Sequence, residues 1–576
     1  MHNPGPEKFS KVSFDYAGGR FESSSAGVLY FGKDKEGKEQ PARLICSPLN
    51  ILAKTRDDKS TSWGRLLEWW DEDGKRHQWA MPVESLEGDS AEVWRRLASE
   101  GLSIWPSQNS RILLAVFLKK CPVELRAVCV DRLGWHGGVY VAPEQSIGEA
   151  GERVVFQNSH ALEPAFAEAG TLDEWRENVA ALACGNSRLV LALSIAFAAG
   201  LADVAGLESG GFHFRGASSS GKSTALKLAA SVWGNPAAYV RLWRSTTNGL
   251  EGLAALHNDG ILILDEIGQI DPGAAGDAAY LLANGQGKVR ASRNGMAKPG
   301  QRWRLLFLSA GEEALTAIME RAGKKTSAGQ EIRLADIEAD AGAGLGMFEV
   351  LNGYPSAAAL ATAIQNATSR QYGSVGMKWL QRIVADRALF AEPLREEIRQ
   401  FVASVVPKVA AGQAQRVAYR FGLAAAAGEL ATRYGLTGWP AGEAIQAART
   451  CFNAWLANFG EGNREERAIV TQAQAFIEQD GASRFEDITA DHEQRIPNRA
   501  GYFRTREDGS REFLVLPEVF RRELCQGYDE KTVKRALIAA GVLVRAKDGK
   551  PTQVFRLPGL SATARAYVLR YIGEHA

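Results

Sequence analysis

The nine residues Gly216-Ala217-Ser218-Ser219-Ser220-Gly221-Lys222-Ser223-Thr224 constrain this chain more than any other stretch. They satisfy the pattern G-x-x-x-x-G-K-[ST], follow the β-type run Phe212-His213-Phe214, and lead into a helical pattern over residues 225–233. Strand, glycine-bounded turn and helix, in that order, is the setting in which the pattern has a mechanism. Gly216 and Gly221 let the backbone curl until successive N–H groups converge, and a helix starting near Lys222 adds its positive dipole end. Such a loop cradles phosphates. The expected nucleotide contacts are residues 216–224, with Lys222 on the β- and γ-phosphates, the Ser223 hydroxyl on magnesium, and ATP and Mg2+ as cofactors.

About forty residues on, Ile261-Leu262-Ile263-Leu264-Asp265-Glu266 is an apolar run ending in two carboxylates. A central parallel strand reads as a continuous hydrophobic run, so the acids fall at its carboxyl end, where open α/β sheets bind ligands. Asp265 is expected in the magnesium shell and Glu266 on the attacking water. After a similar interval Leu305-Leu306-Phe307-Leu308-Ser309 ends another strand in a hydroxyl. Ser309 either senses the γ-phosphate or caps a helix with Glu312 in a capping box. Arg321 and Arg333 are the candidates for an arginine that a neighbouring subunit supplies to the transition state.

The apolar runs at 212–214, 239–242, 261–264, 305–308 and 332–337 alternate with helical stretches, which predicts an α/β P-loop unit around a mostly parallel five-stranded sheet. A chain of 576 residues holds three or more packed units. We expect an α+β N-terminal region over 1–110, a β-rich connection over 111–185, the P-loop core over 186–355, a helical subdomain over 356–460, and a C-terminal unit over 465–576. In that last unit two helices precede a hairpin formed by 542–545 and 554–557 around Asp548-Gly549, the order of a winged helix.

Composition confines nucleic-acid binding to local patches. With 68 Lys and Arg against 67 Asp and Glu, the formal charge is +1 and no global field attracts a polyanion. Residues 288–304 nevertheless carry six positive side chains and no acid, with Asn294-Gly295 as a turn signal. Lys288, Arg290, Arg293 and Lys298 are the expected DNA contacts; otherwise the hairpin is solvated and pairs with acids elsewhere. Lys531, Lys534, Arg535, Arg545, Lys547 and Lys550 make a second basic face. The stretch 245–251 either touches phosphates or caps a helix, with Asn248 as N-cap and Glu251 as its reciprocal partner. The six cysteines form no CxxC pair, the first 26 residues do not resemble a signal peptide, and the apolar run Leu189 to Ala202 is too short for a bilayer. A cytoplasmic protein without membrane contact is expected.

Several strings together resemble a family. They are Gly134-Trp135, Cys184-Gly185-Asn186-Ser187-Arg188, the loop at 218–224, Trp243-Arg244-Ser245-Thr246-Thr247-Asn248-Gly249-Leu250-Glu251-Gly252, Leu264-Asp265-Glu266, residues 282–288 and residues 329–334. From about Arg132 to Leu456 the chain resembles the mobile-element ATPases grouped as domain of unknown function 927, related to superfamily III and AAA+ replicative helicases. The resemblance implies an AAA+-like core and a DNA helicase of a phage or mobile element that forms a ring, a homo-hexamer. The alternatives are an ATP-dependent loader or remodelling factor that does not unwind, and a regulatory nucleotide-binding protein of a defence or packaging system.

Overall fold

The computed structural model describes residues 9–157, 165–288, 290–291, 297–298, 300–324, 328–407, 412–459, 464–489, 496–558 and 563–571. At the N-terminal end a four-stranded antiparallel sheet (Val12–Tyr16, Gly19–Ser24, Gly27–Phe31, Arg43–Cys46) precedes a mixed five-stranded sheet. That second sheet runs Arg153–Phe156, Arg126–Val130, Leu49–Arg56, Gly64–Trp70, Arg76–Pro82. Helices Ala91–Ser99 and Gln108–Lys120 bury Leu97, Leu114 and Phe117 against Phe21, Leu67 and Trp69. The expected division at 110 is corrected here. It falls inside a helix, and one sheet takes strands from both sides of it, because Lys54–Arg56 pair in parallel with Arg126–Val128.

The central unit is built on five strands: β1 (Gly210–Arg215), β2 (Arg241–Leu242), β3 (Gly260–Asp265), β4 (Leu305–Gly311) and β5 (Leu334–Glu338). Their order is β2-β3-β4-β1-β5, and every neighbouring pair is parallel. Alternation along the strands divides two cores. Phe212, Phe214, Ile261, Ile263, Leu306 and Leu308 face one cluster, and Leu262, Leu264, Leu305, Phe307 and Leu334 face the other. Apolar side chains on both faces are what a parallel sheet covered by helices requires.

The first cluster is completed by helix α1 (Ser187–Ala198), all of whose residues are buried, packed against α2 (Lys222–Ala230) and against the later helices Gly412–Arg433 and Glu443–Phe459. The apolar run read as too short for a membrane is continued by its flanks into a helical stretch of 19 residues, Ser187–Ala205. Its mean hydropathy of 1.8 passes for a span by length and composition, yet 89% of it is buried inside the protein. Residues 357–405 form three further helices.

Beyond helix Arg464–Asp480 the C-terminal strands form one sheet in the order Phe485–Asp487, Gly501–Thr505, Arg511–Val515, Ala564–Arg570, Leu543–Val544. The expected hairpin is corrected: Leu543–Val544 and Gln553–Phe555 do not pair with each other, and both pair with Ala564–Arg570. Of the expected boundary between 460 and 465, residues 460–463 lie outside the described residues and Arg464 begins the helix Arg464–Asp480. All six cysteines are free.

Candidate active site

β1 hands the chain to the glycine loop at the carboxyl edge of the sheet. Gly216 N–H donates to Gly311 O (3.1 Å), extending the β1–β4 ladder by one bond before the chain turns. Ser219 (φ 63) and Gly221 (φ 99) are left-handed, and Gly221 is the residue before α2. Left-handed backbone is free for glycine and costs a serine on the order of 1–3 kcal/mol, a strain typical of ligand clamps. The Lys222 ammonium folds back over the loop, donating to Gly216 O (2.8 Å), Ala217 O (2.6 Å) and Ser220 Oγ (3.4 Å). Ser223 is half-buried in the first turn of α2, while Thr224 is buried and accepts from Gln365 Nε2 (3.1 Å).

β3 brings Asp265 to the same edge. Trp243 N–H donates to Asp265 O (3.1 Å), and the Asp265 carboxylate accepts Glu266 N–H (2.9 Å). Glu266 is exposed and left-handed (φ 58). One strand, β4, separates β3 from β1, so the acidic pair and the loop lie about 10 Å apart, two strand spacings. Among the described residues no three His, Cys, Asp or Glu side chains cluster as a metal cage. Magnesium asks for less, since it is held by one or two carboxylates together with substrate phosphates and water. Asp265 and the Ser223 hydroxyl fit that donor set, and the converging backbone and Lys222 fit a polyphosphate.

Ser309 does not stand at the end of its strand. It is fully buried within β4, two residues before the strand ends, and caps no helix. Its oxygen accepts from Trp243 Nε1 (2.8 Å) and meets His213 Nδ1 at 2.9 Å. The partners settle the direction. His213 Nε2 faces the Glu313 carbonyl at 3.1 Å and carries the proton, so Nδ1 accepts and the Ser309 hydroxyl donates to it. Burial lowers the His213 pKa and keeps the ring neutral. The hydroxyl proton is thus spent inside the sheet.

Arg333 lies at the opposite end of β1 from this chain's own glycine loop. Its carbonyl accepts Gly211 N–H at the amino end of β1, about 15 Å of strand from the loop. The guanidinium donates to Asn284 Oδ1 (3.2 and 3.1 Å) and Gly329 O (2.6 Å) and stacks on Tyr280 (4.2 Å). Arg321 ends the helix Leu315–Arg321, is exposed, and pairs with Glu313 (2.9 Å).

A further group went unread in the sequence as a working part. Asn186 Oδ1 accepts Glu349 N–H (2.8 Å) and Val350 N–H (3.1 Å), Ser187 N–H donates to the Glu349 carboxylate (2.6 Å), and buried Arg188 donates to Glu338 O (3.2 Å) and Asp340 O (3.0 Å). These bonds hold the loop after β5 against the glycine loop. There Met347 N–H donates to Ser220 O (3.0 Å), and Gly346 (φ 66) approaches so closely that a Cβ would meet Ser220 O at 2.5 Å.

At the basic hairpin Lys288 is exposed, and Arg290–Ala291 pair antiparallel with Ala297–Lys298, Arg290 opposite Lys298. Arg293 and Asn294-Gly295 lie outside the described residues. The cap expected at Asn248 belongs to Thr246, whose hydroxyl accepts Gly249 N–H (3.2 Å) ahead of the helix Thr247–Leu256. In the C-terminal unit Lys534 is paired with Glu530 (2.6 Å) and Lys550 with Asp548 (2.7 Å), while Lys531, Arg535, Arg545 and Lys547 are exposed.

No curated protein matches the chain. Among solved structures, the one described as "SCCmec type IV Cch - active helicase" matches 97% of this chain and 98% of its own, with TM-score 0.69 and 18% identity. At that identity the likeness is one of fold, an α/β helicase-like architecture with mixed sheets. The apo C-terminal region of NrS-1 aligns over 68% of this chain and 91% of its own at 10% identity and TM-score 0.22. Residues 21–302 match the domain of unknown function DUF927, a span that starts well before Arg132 and stops short of the helices after residue 302.

Proposed function

We propose that the chain is an ATP- and magnesium-dependent DNA helicase of a mobile genetic element, with an AAA+-like core, acting as a ring, most simply a homo-hexamer. The observation that carries this reading is the placement of Lys222, Ser223, Asp265 and Glu266 on one edge of an all-parallel five-stranded sheet. Lys222 leaves its loop carbonyls for the β- and γ-phosphates, and Ser223 and Asp265 hold magnesium, which when bound draws charge from the phosphate oxygens. Glu266, exposed just past the strand, orients the attacking water. Arg321 or Arg333 is the arginine supplied to a neighbouring subunit's nucleotide. The basic hairpin leaving the same sheet grips DNA phosphates without reading sequence, and the C-terminal unit, read as a winged helix, adds duplex contacts.

The test pairs Glu266→Gln with the wild type in ATP binding, ATP hydrolysis and displacement of a strand from forked DNA, with sizing in the presence of ATP. The expected variant binds ATP, forms the same assembly, and loses hydrolysis and unwinding by at least about a hundredfold. Turnover equal to wild type would refute the assignment of the acidic pair.

A further inference from the structure

Glu251 is an acid with almost no contact with solvent, 2% exposed, on the helix Thr247–Leu256. A buried carboxylate is costly unless hydrogen-bonded, so its partners identify what it is for. Its Oε1 accepts the backbone N–H of Lys288 (3.2 Å), the first cation of the basic hairpin. Its Oε2 lies against Gly287, where a Cβ would come within 3.1 Å. The hairpin's root is a paired stem: Gly287 N–H donates to Gln301 O (2.8 Å), Trp303 N–H to Gly285 O (2.9 Å), and Gln286 bridges Arg302. Trp303 anchors that stem in the core, donating from Nε1 to Leu282 O (3.1 Å).

The other end of the same helix path is the nucleotide edge. Trp243 is bonded through its backbone N–H to Asp265 O and through its indole to Ser309, and three residues later Thr246 caps the helix that carries Glu251. Two hydrogen bonds and one short segment therefore join the Asp265 carbonyl to the Lys288 N–H. We propose that Glu251 is a positioning residue that couples the nucleotide edge to the basic hairpin. It touches neither nucleotide nor DNA. A displacement of the Asp265 end moves the helix, and the carboxylate carries that movement to the hairpin root. This rests on the reading of the hairpin as a DNA-gripping element.

The test uses the full-length protein and measures ATP turnover without and with oligo(dT). Glu251→Ala leaves basal turnover unchanged and lowers the stimulation by oligo(dT) about tenfold, the change one buried hydrogen bond to a charged acceptor is worth. Glu251→Gln restores most of it, because an amide oxygen still accepts the Lys288 N–H. Gly287→Ala, which presses a methyl on the carboxylate and needs no new backbone conformation, lowers stimulation partway and serves should the alanine variant at 251 fail to fold. Stimulation equal to wild type in Gly287→Ala and Glu251→Ala overturns the coupling alone. Parallel loss of basal and stimulated turnover without rescue by glutamine also overturns it, leaving Glu251 a structural residue. A wild type that hydrolyses ATP but ignores oligo(dT) overturns the DNA reading and the coupling together.

Discussion

Replacing Ser309 by alanine separates two roles that one serine at this place in a sheet can have. In the structure its hydroxyl is the middle of a buried chain running from Trp243 Nε1 through Ser309 to His213 Nδ1, and from His213 Nε2 to the Glu313 carbonyl. Ser309→Ala leaves the indole N–H and the imidazole Nδ1 without partners in a site with no solvent access. Each orphaned group costs about 1–3 kcal/mol, so the variant should lose about 2–6 kcal/mol. For a unit of this size that is a fall of about 4–24 °C in the melting temperature of the central unit. Trp243→Phe removes the donor and leaves a cavity where part of the buried indole stood, so it should cost about 2–4 kcal/mol, and the double variant should cost less than the two singles added, because the sites share a bond. The assay is thermal melting beside ATP turnover measured well below the transition, where Ser309→Ala should stay within about threefold of wild type. An unchanged melting temperature with turnover collapsed would refute the structural role and return Ser309 to the γ-phosphate.

Gly346→Ala meets Ser220 O at 2.5 Å in a left-handed conformation, whereas Gly344→Ala, left-handed but with open space around it, carries only the conformational cost of about 1 kcal/mol. Titration with a fluorescent ATP analogue should show about tenfold weaker binding for the first and little change for the second, and equal affinities would dissociate this loop from the nucleotide site. Asp259, whose carboxyl burial pushes up to about 6 from an ordinary 3.8, contributes stability that is full below pH 4 and lost as pH rises through 6. A gap of about two pH units at 1.36 kcal/mol each is about 3 kcal/mol, so wild-type stability relative to Asp259→Asn should fall by that amount between pH 4 and 7; a pH-independent difference would contradict it.

What the sequence reveals follows the distance over which each feature is encoded. The glycine loop and the acidic strand are local: a nine-residue pattern fixes one, and the run Ile261 to Leu264 followed by two acids fixes the other. The buried helix around Leu189 to Ala202 was legible for the same reason, since an apolar face all round needs cover on every side. The misread features depend on partners far along the chain. Residues 542–545 and 554–557 look like the two arms of a hairpin, but Leu543–Val544 and Gln553–Phe555 each find a longer partner in Ala564–Arg570. Ser309 looks like a strand terminus because nothing nearby predicts that Trp243 and His213 will consume its hydroxyl. Glu349 lies 162 residues from Ser187 and carries no local signal of the contact.

That separation has a consequence for synthesis. A ribosome adding about 5–20 residues per second needs roughly 8–30 s to pass from Ser187 to Glu349, and longer to reach the helices Gly412–Arg433 and Glu443–Phe459 that cover α1. During that interval Ser187–Ala205 has emerged with the hydropathy of a membrane span and without the two late helices of its final cover. The segment that becomes the most enclosed helix of the folded protein is, on the nascent chain, its stickiest, and it is the place where a chaperone that binds extended apolar segments would be expected to hold this polypeptide.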